Sequence, residues 1–196
     1  MGKGTLIRRL QERHPELRRS VSCTTRGPRE GEVDGRDYRF VTPEQFQRMV
    51  ADGAFLEWAH VHGDLCYGTP RGPAEAAVAE GRDIILEIDY QGARSVRQQL
   101  GAKVVLVFVA PPSWAALRER LVGRDTEDDA AVQRRLKTAL AEIAHMDLFQ
   151  YVVVNADIER AVDELDGILR GEGCRLPRLE WGAFRSELLN ESRVDW

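Results

Sequence analysis

Cysteine is scarce in this sequence, and it has neither a long apolar run nor an excess of basic residues. The three cysteines, Cys23, Cys66 and Cys174, lie far apart and in no metal-ligand spacing, which predicts free thiols in a reducing cytoplasm. The longest apolar run, residues 104–110, is too short to span a bilayer, and no signal-sequence pattern precedes the first predicted helix. The formal net charge of −4 argues against general nucleic-acid binding, which favours a basic surface.

The length and composition predict one soluble globular core. A chain of 196 residues can bury one substantial core and still carry a lid and a small insert. Its hydrophobic content of 43% and charged content of 31% are ordinary for a soluble protein. We therefore expect a cytoplasmic protein with no membrane partner, present as a monomer or a weak homodimer.

The most specific residue pattern is the stretch SCTTRGPREGEVDGRDYRF at residues 22–40. Arg26 and Arg29 lie three apart in a Gly- and Pro-rich loop, and guanidinium forks match the oxygens of a phosphate. Further neutral donors could come from Ser22, Thr24, Thr25 and Tyr38. The alternative is a solvated turn, because Gly, Pro and Asp are common in loops of every kind. The residue types favour a phosphate site.

The beginning of the chain is similar to the second half of a phosphate-binding loop. Gly2-Lys3-Gly4-Thr5 enters an amphipathic run, as the end of the motif G-x-x-x-x-G-K-[ST] enters its helix. The apolar strand and the first glycine of that motif are missing, and a frayed terminus is the alternative. We expect Met1 to be an assigned start within a longer protein, and the chain as written to be poorly stable and nearly inactive.

Alternating strands and helices predict an α/β fold with a parallel sheet. Apolar strands are expected at residues 83–89, 103–109 and 151–154, each followed by a helix pattern. Glu87 and Asp89 fall on one face at the carboxyl end of the first of these strands, where sheets of this class bind ligands.

Three patterns resemble those of guanylate kinases. S-x-T-T-R-x-x-R-x-G-E and G-x-D-Y-x-F in the arginine loop are similar to the nucleoside-monophosphate-binding segment of that family. R-L-x-x-R-x-T-E at residues 120–127, with R-L again at 135–136, is similar to its lid. The resemblance reaches about residue 170. It implies a P-loop NTPase-like parallel sheet covered by helices, with a mixed α/β GMP-binding insert and a helical lid.

The resemblance also implies domain boundaries. The core would comprise residues 1–20 and 70–170, with the lid at about 120–135, and the GMP-binding lobe would comprise residues 21–69. Residues 171–196 would form an extension of unknown role.

The resemblance assigns an acceptor site for GMP. The phosphate would be held by Arg26, Arg29, Tyr38 and Tyr67, with Glu32 beside them. The guanine base would be read by Ser22, Glu57, Thr69 and Asp89. Because guanine presents N1–H beside an exocyclic amine, one carboxylate can accept from both, whereas adenine lacks that donor pair.

The resemblance also implies a donor site for ATP with Mg²⁺. Its residues would be Gly2, Lys3, Gly4, Thr5, Arg120, Arg124 and Asn155, and the catalytic cations would be Lys3, Arg26, Arg120, Arg124 and Arg135. Gly4 stands where the loop usually has a magnesium-binding hydroxyl, so no direct ligand is assigned; Thr5 and Glu87 could act through water. Asp125 stands where the family usually has glycine.

These patterns favour an ATP-dependent guanylate kinase of purine metabolism, which gives GDP and ADP. One alternative is a catalytically impaired guanylate-kinase-like binding module. The other is a related kinase that acts on a phosphorylated ribose. Lys3 and the three lid arginines, Arg120, Arg124 and Arg135, argue against the first. The base-reading residues Ser22, Glu57 and Thr69 argue against the second.

Overall fold

The structure, a computed structural model, describes residues 2–61, 65–122, 129–175 and 181–191. In chain order, the helices in these ranges are α1 (Lys3–Arg13), α2 (Pro43–Ala51), α3 (Arg71–Ala79), α4 (Tyr90–Leu100), α5 (Trp114–Val122), α6 (Asp129–Ala144), α7 (Ile158–Gly173) and α8 (Trp181–Glu191). The strands are β1 (Arg18–Arg19), β2 (Cys23–Thr24), β3 (Arg39–Phe40), β4 (Phe55–Val61), β5 (Leu65–Pro70), β6 (Ile84–Ile85), β7 (Val107–Ala110) and β8 (Tyr151–Val154). The α/β class predicted from the sequence is confirmed.

Two pairs of parallel strands lie outside the four-stranded sheet described below. β1 pairs with β6 in the register Arg18 to Ile84, and β7 pairs with β8 along their full lengths. Within the described ranges, no strand is paired with the second edge of β6 or of β7. The predicted strand at 83–89 therefore keeps only two residues, because residues 86–89 have no neighbouring strand with which to form a ladder. The strand predicted at 103–109 begins later, after a 3₁₀ turn at Gly101–Lys103.

Helix α1 is held in place by an apolar cluster that it shares with α7 and β8. Leu6 and Leu10 lie on its buried face with Val153 of β8 and Val162 of α7. This face is the amphipathic pattern predicted for the first helix, because the two leucines are four residues apart. The cluster fixes the N-terminus of α1 beside the carboxyl ends of β6 and β8, where Lys3 Nζ donates to the Ile88 carbonyl at 3.4 Å.

The second lobe is a four-stranded mixed sheet in the order β3-β2-β5-β4. β2 and β3 are parallel, whereas β5 is antiparallel to both β2 and β4. Phe46 of α2 stacks on Phe55 of β4 at a centroid distance of 4.6 Å and closes the lobe's own core. Helix α2 begins at a capping box formed by Thr42 and Gln45, with Pro43 at the first helical position.

Helices α5 and α6 pack together through Leu117, Val132, Leu136 and Ala139. The predicted lid residues between them, Arg124 and Asp125 included, lie outside the described residues. Helix α8 exposes about half of the surface of Phe184 and Leu188. None of the helices in the described ranges is long and apolar enough to cross a membrane.

Candidate active site

A cavity of about 670 Å³ opens between the N-terminus of α1, the second lobe and helices α5 and α6. On the predicted donor side it is lined by Gly2, Lys3, Thr5, Arg120, Arg135 and Asn155. On the predicted acceptor side it is lined by Ser22, Tyr38, Glu57, Tyr67, Glu87 and Asp89. Two residue sets that are far apart in the sequence thus face one space.

The donor wall is the first turn of α1. The unpaired N–H groups and the dipole of a helix N-terminus favour an anion there, and Lys3 adds a full positive charge. Gly2 has a φ of 77°, and a Cβ at this position would lie 2.7 Å from Asn155 Nδ2. Glycine is therefore required both by the backbone conformation and by the close approach of the amide. Gly4 belongs to the same turn but does not line the cavity.

Asn155 follows β8 and connects the first turn of α1 to helix α5. Its side chain is buried, and its backbone carbonyl accepts from Arg120 Nη1 at 3.0 Å. Arg120 is the last-turn cation of α5, and Arg135 reaches the same cavity from α6. Two of the three predicted lid arginines are thus brought together, whereas the third, Arg124, lies outside the described residues.

Glu57 is a carboxylate buried in the acceptor wall, only 7% exposed. The antiparallel register places it opposite Thr69, whose hydroxyl donates to Glu57 Oε1 at 2.5 Å. This is the partner that a buried carboxylate requires. Burial raises the Glu57 pKa to about 7; the Thr69 hydroxyl opposes this shift, and the nearby Asp89 charge adds to it.

Glycine at position 92 makes room for this carboxylate. Asp89 caps α4 by accepting from the Gly92 N–H at 2.9 Å. A Cβ on Gly92 would lie 2.5 Å from Glu57 Oε2. The cap and the missing side chain together let the helix start beside Glu57, so both acids face the same part of the cavity.

Arg26 lies beside the cavity and is held by its neighbours. Its Nη2 donates to Glu32 at 2.9 Å, its Nε donates to the Tyr67 hydroxyl at 3.2 Å, and its guanidinium lies 5.4 Å from the centroid of the Tyr38 ring. The hydrogen bond from Arg26 holds the pKa of Glu32 below its usual value. Glu32 therefore orients the arginine, and its other oxygen accepts from the Arg29 backbone N–H at 2.8 Å.

Some predicted residues do not line this cavity themselves. Arg29 is exposed, and Thr69 acts through its hydrogen bond to Glu57. Arg26, Arg29 and Glu32 are not among the lining residues, but Arg26 contacts Tyr67 and Tyr38, which are.

Sequence reasoning missed Glu142, which lines the cavity from α6. Burial raises its pKa, and the charge of Lys3 opposes the shift. The signal was present, because Arg135, Thr138 and Glu142 are spaced i, i+3 and i+7 and so share one helix face. In β4, Ala59 and Val61 line the cavity with Glu57 for the equivalent reason, since alternate strand residues share a face.

The chemistry of the lining suits a magnesium ion that arrives with a nucleotide. No group of three or more His, Cys, Asp or Glu residues in the described part of the chain is arranged to hold a metal. Magnesium usually takes one or two carboxylates, waters and substrate phosphates instead of an all-protein cage. Thr5 and Glu87 offer oxygens of this kind beside the N-terminus of α1.

Comparison with protein-family models shows which family the chain belongs to. The sequence model of the family described as guanylate kinase matches residues 1–172. The chain belongs to the guanylate kinase family. The match includes every residue assigned above to the cavity, and it ends inside α7, before α8 begins.

Individual relatives agree with this placement. Guanylate kinase of Rhodococcus jostii is 50% identical over 87% of this chain and 83% of its own length. Guanylate kinase of Symbiobacterium thermophilum is 51% identical over 95% of this chain and 92% of its own length. The crystal structure of guanylate kinase from Anaplasma phagocytophilum superimposes with a TM-score of 0.80 at 37% identity, covering 97% of this chain and 90% of that one.

Proposed function

We propose that this protein transfers the γ-phosphoryl group of ATP to GMP, producing ADP and GDP. The observation that carries the proposal is one cavity with two unlike walls. A buried carboxylate, Glu57, forms one wall, and a helix N-terminus with Lys3 forms the other. Phosphoryl transfer requires positioning of two phosphates and positive charge around the one that moves, and this arrangement supplies both.

Glu57 reads the acceptor base. Its ionised carboxylate accepts from the guanine N1–H and the exocyclic amine, while Thr69 keeps it oriented through the 2.5 Å hydrogen bond. Ser22 and Asp89 lie in the same wall and complete the polar edge. AMP would leave the buried carboxylate without donors, and unpaired buried groups of this kind discriminate strongly between substrates.

The acceptor phosphate lies against Tyr38 and Tyr67, with Arg26 behind them. The Arg26 guanidinium already touches Tyr67 and Glu32, so its fork is oriented before GMP binds. A fixed guanidinium costs less on binding than a freely rotating cation, and it aligns the acceptor oxygen for in-line attack. Arg29 contributes a second guanidinium from the exposed part of the loop.

The donor phosphates lie at the first turn of α1. Lys3 leaves the Ile88 carbonyl, 3.4 Å away, and turns to the β- and γ-phosphates. Arg120 and Arg135 close on the γ-phosphate from α5 and α6, and Arg124 completes the lid. Mg²⁺ bound with ATP would neutralise the charge that develops on the transferred phosphoryl group. Thr5 and Glu87 are the side chains that would hold it through water.

A coupled ADP-release assay with GMP, AMP and ribose 5-phosphate as acceptors tests this proposal. GMP should be strongly preferred, because only guanine supplies both donors to Glu57. Equal use of AMP, or preference for the sugar phosphate, would contradict the proposal.

Variants in α1 provide a matched pair for the donor side. Lys3→Met removes the cation at the phosphate-binding turn and should abolish transfer. Arg8→Met removes an equal charge from the exposed face of the same helix and should leave transfer unchanged. GMP binding without transfer in the parent protein would favour a binding module instead.

A further inference from the structure

We propose that Arg19 is a positioning residue that holds and neutralises Glu87 beside the acceptor phosphate. The inference deepens the proposed function and rests on it, because it concerns how GMP is admitted to the same cavity. Neither the arginine-loop pattern nor the lid pattern contains Arg19.

The pairing of β1 with β6 brings Arg19 and Glu87 together. Arg19 is directly opposite Ile85 in the parallel register, and Glu87 follows Ile85 by two residues. Arg19 Nη2 lies 3.3 Å from Glu87 Oε2, and the two side chains are 27% and 23% exposed. Arg18, the preceding residue in β1, is exposed.

The guanidinium of Arg19 uses only part of one edge. Its Nε is buried and has no hydrogen-bond partner, whereas Nη2 on the same edge faces Glu87. Nε–H and Nη2–H together match the two oxygens of one carboxylate. A buried donor without a partner is costly. Orientations in which the Glu87 carboxylate accepts from both Nε–H and Nη2–H are therefore favoured. The Nε and Nη2 side of the Arg19 guanidinium thus restricts the orientation of the Glu87 carboxylate.

The pair borders the acceptor phosphate site, because Glu87 and Tyr38 line the same cavity. Burial raises the pKa of the Tyr38 phenol, the charge of Glu87 raises it further, and the charges of Arg26 and Arg19 oppose this. Both members of the pair therefore act on a side chain that lines the cavity. Without Arg19, an unpaired carboxylate would face the incoming dianionic phosphate, and like charges at short range repel.

A double-mutant cycle on GMP binding tests the proposal. Calorimetry of GMP binding without ATP should show that Arg19→Met weakens binding about tenfold, the lower end of the range for loss of an orienting partner. Arg18→Met, with the same loss of charge on the exposed side of β1, should bind GMP like the parent. Arg19→Lys should recover part of the affinity, because a point charge neutralises Glu87 without restoring the fork.

Removing Glu87 as well should restore GMP affinity. In Arg19→Met/Glu87→Gln the repelling carboxylate is gone, so GMP should bind nearly as tightly as in the parent. The transfer rate should stay low, because Glu87 is no longer present on the magnesium side. This rescue separates positioning from a purely structural role, which would lower the melting temperature of both variants without any rescue of binding.

Two results would overturn the inference. One is GMP binding by Arg19→Met that equals that of Arg18→Met; the other is a double variant that binds no better than Arg19→Met. Failure of the proposed function is a separate result, because it would appear as a parent protein that does not transfer phosphate to GMP.

Discussion

Replacing Glu57 with glutamine should affect stability and substrate binding in opposite directions. Glu57 is buried, its pKa is raised from the usual 4.5 to about 7, and Thr69 is its hydrogen-bond donor. Glutamine has nearly the same shape and can still accept from Thr69, but it cannot ionise. The variant therefore isolates the effect of the charge.

The raised pKa makes the folded protein lose stability as pH rises. The folded state holds the Glu57 proton more tightly than the unfolded state, so its stabilising effect is complete below pH 4.5 and is lost as pH passes about 7. A shift of this size corresponds to about 3 kcal/mol at most. Relative to the parent, Glu57→Gln should thus gain up to about 3 kcal/mol of unfolding free energy between about pH 5 and about pH 8.

The same charge is required by guanine. Glu57→Gln should lose on the order of 1–3 kcal/mol of GMP binding, the usual cost of removing one partner of a buried hydrogen bond. In the parent, GMP affinity should rise as pH increases through about 7, because binding requires the ionised carboxylate. In the variant it should be weak and independent of pH in this range.

Urea unfolding of both proteins without ligand, together with GMP calorimetry across the same pH range, measures the two effects. Parallel stability curves for parent and variant would show that Glu57 does not titrate where its burial predicts. Unchanged GMP affinity in the variant would show that another group reads the base.

Other side chains give further expectations. Arg26→Ala should cost about 1.5–3 kcal/mol of GMP binding free energy. Arg26→Lys should recover only part of it, because an ammonium group cannot form two parallel hydrogen bonds to the phosphate. Full recovery in calorimetry would show that the positive charge alone is required. Gly2→Ala should cost about 1 kcal/mol or more of stability and weaken ATP binding, because residue 2 is left-handed and a Cβ would meet Asn155; an unchanged melting temperature and ATP affinity would contradict this. The hydrogen bond with Asp166 raises the pKa of His14, so this stabilisation is complete below the usual 6.5 and is lost as pH rises through the raised pKa. His14→Gln should therefore lower the melting temperature more in mildly acidic than in alkaline buffer, and equal losses would refute the linkage.

Local patterns were sufficient for much of the fold and for most of the cavity. The capping box at Thr42 was predictable because its residues are neighbours in the chain, and the amphipathic spacing of α7 was predictable for the same reason. The predicted acceptor residues Ser22, Tyr38 and Tyr67 do line the cavity, since the loop and β5 place them together. The roles assigned to them, and the domain boundaries, stay predictions.

The features that were missed depend on long-range contacts. Strand β1 consists of two arginines and becomes a strand only because β6 lies beside it. The ion pair between Arg19 and Glu87 follows from that register, and no local pattern contains it. Only the register of β4 with β5 identifies Thr69 as the hydrogen-bond partner of the buried Glu57.

Transfer of label from γ-³²P-ATP to GMP tests the central claim most directly. Counting labelled product follows the transferred phosphoryl group itself, so transfer to GMP is distinguished from hydrolysis of ATP. With Mg²⁺ present, label should appear in GDP, with little in ADP when AMP replaces GMP and none in GDP with Lys3→Met. Label found only in inorganic phosphate, or transferred to AMP as readily as to GMP, would contradict the account.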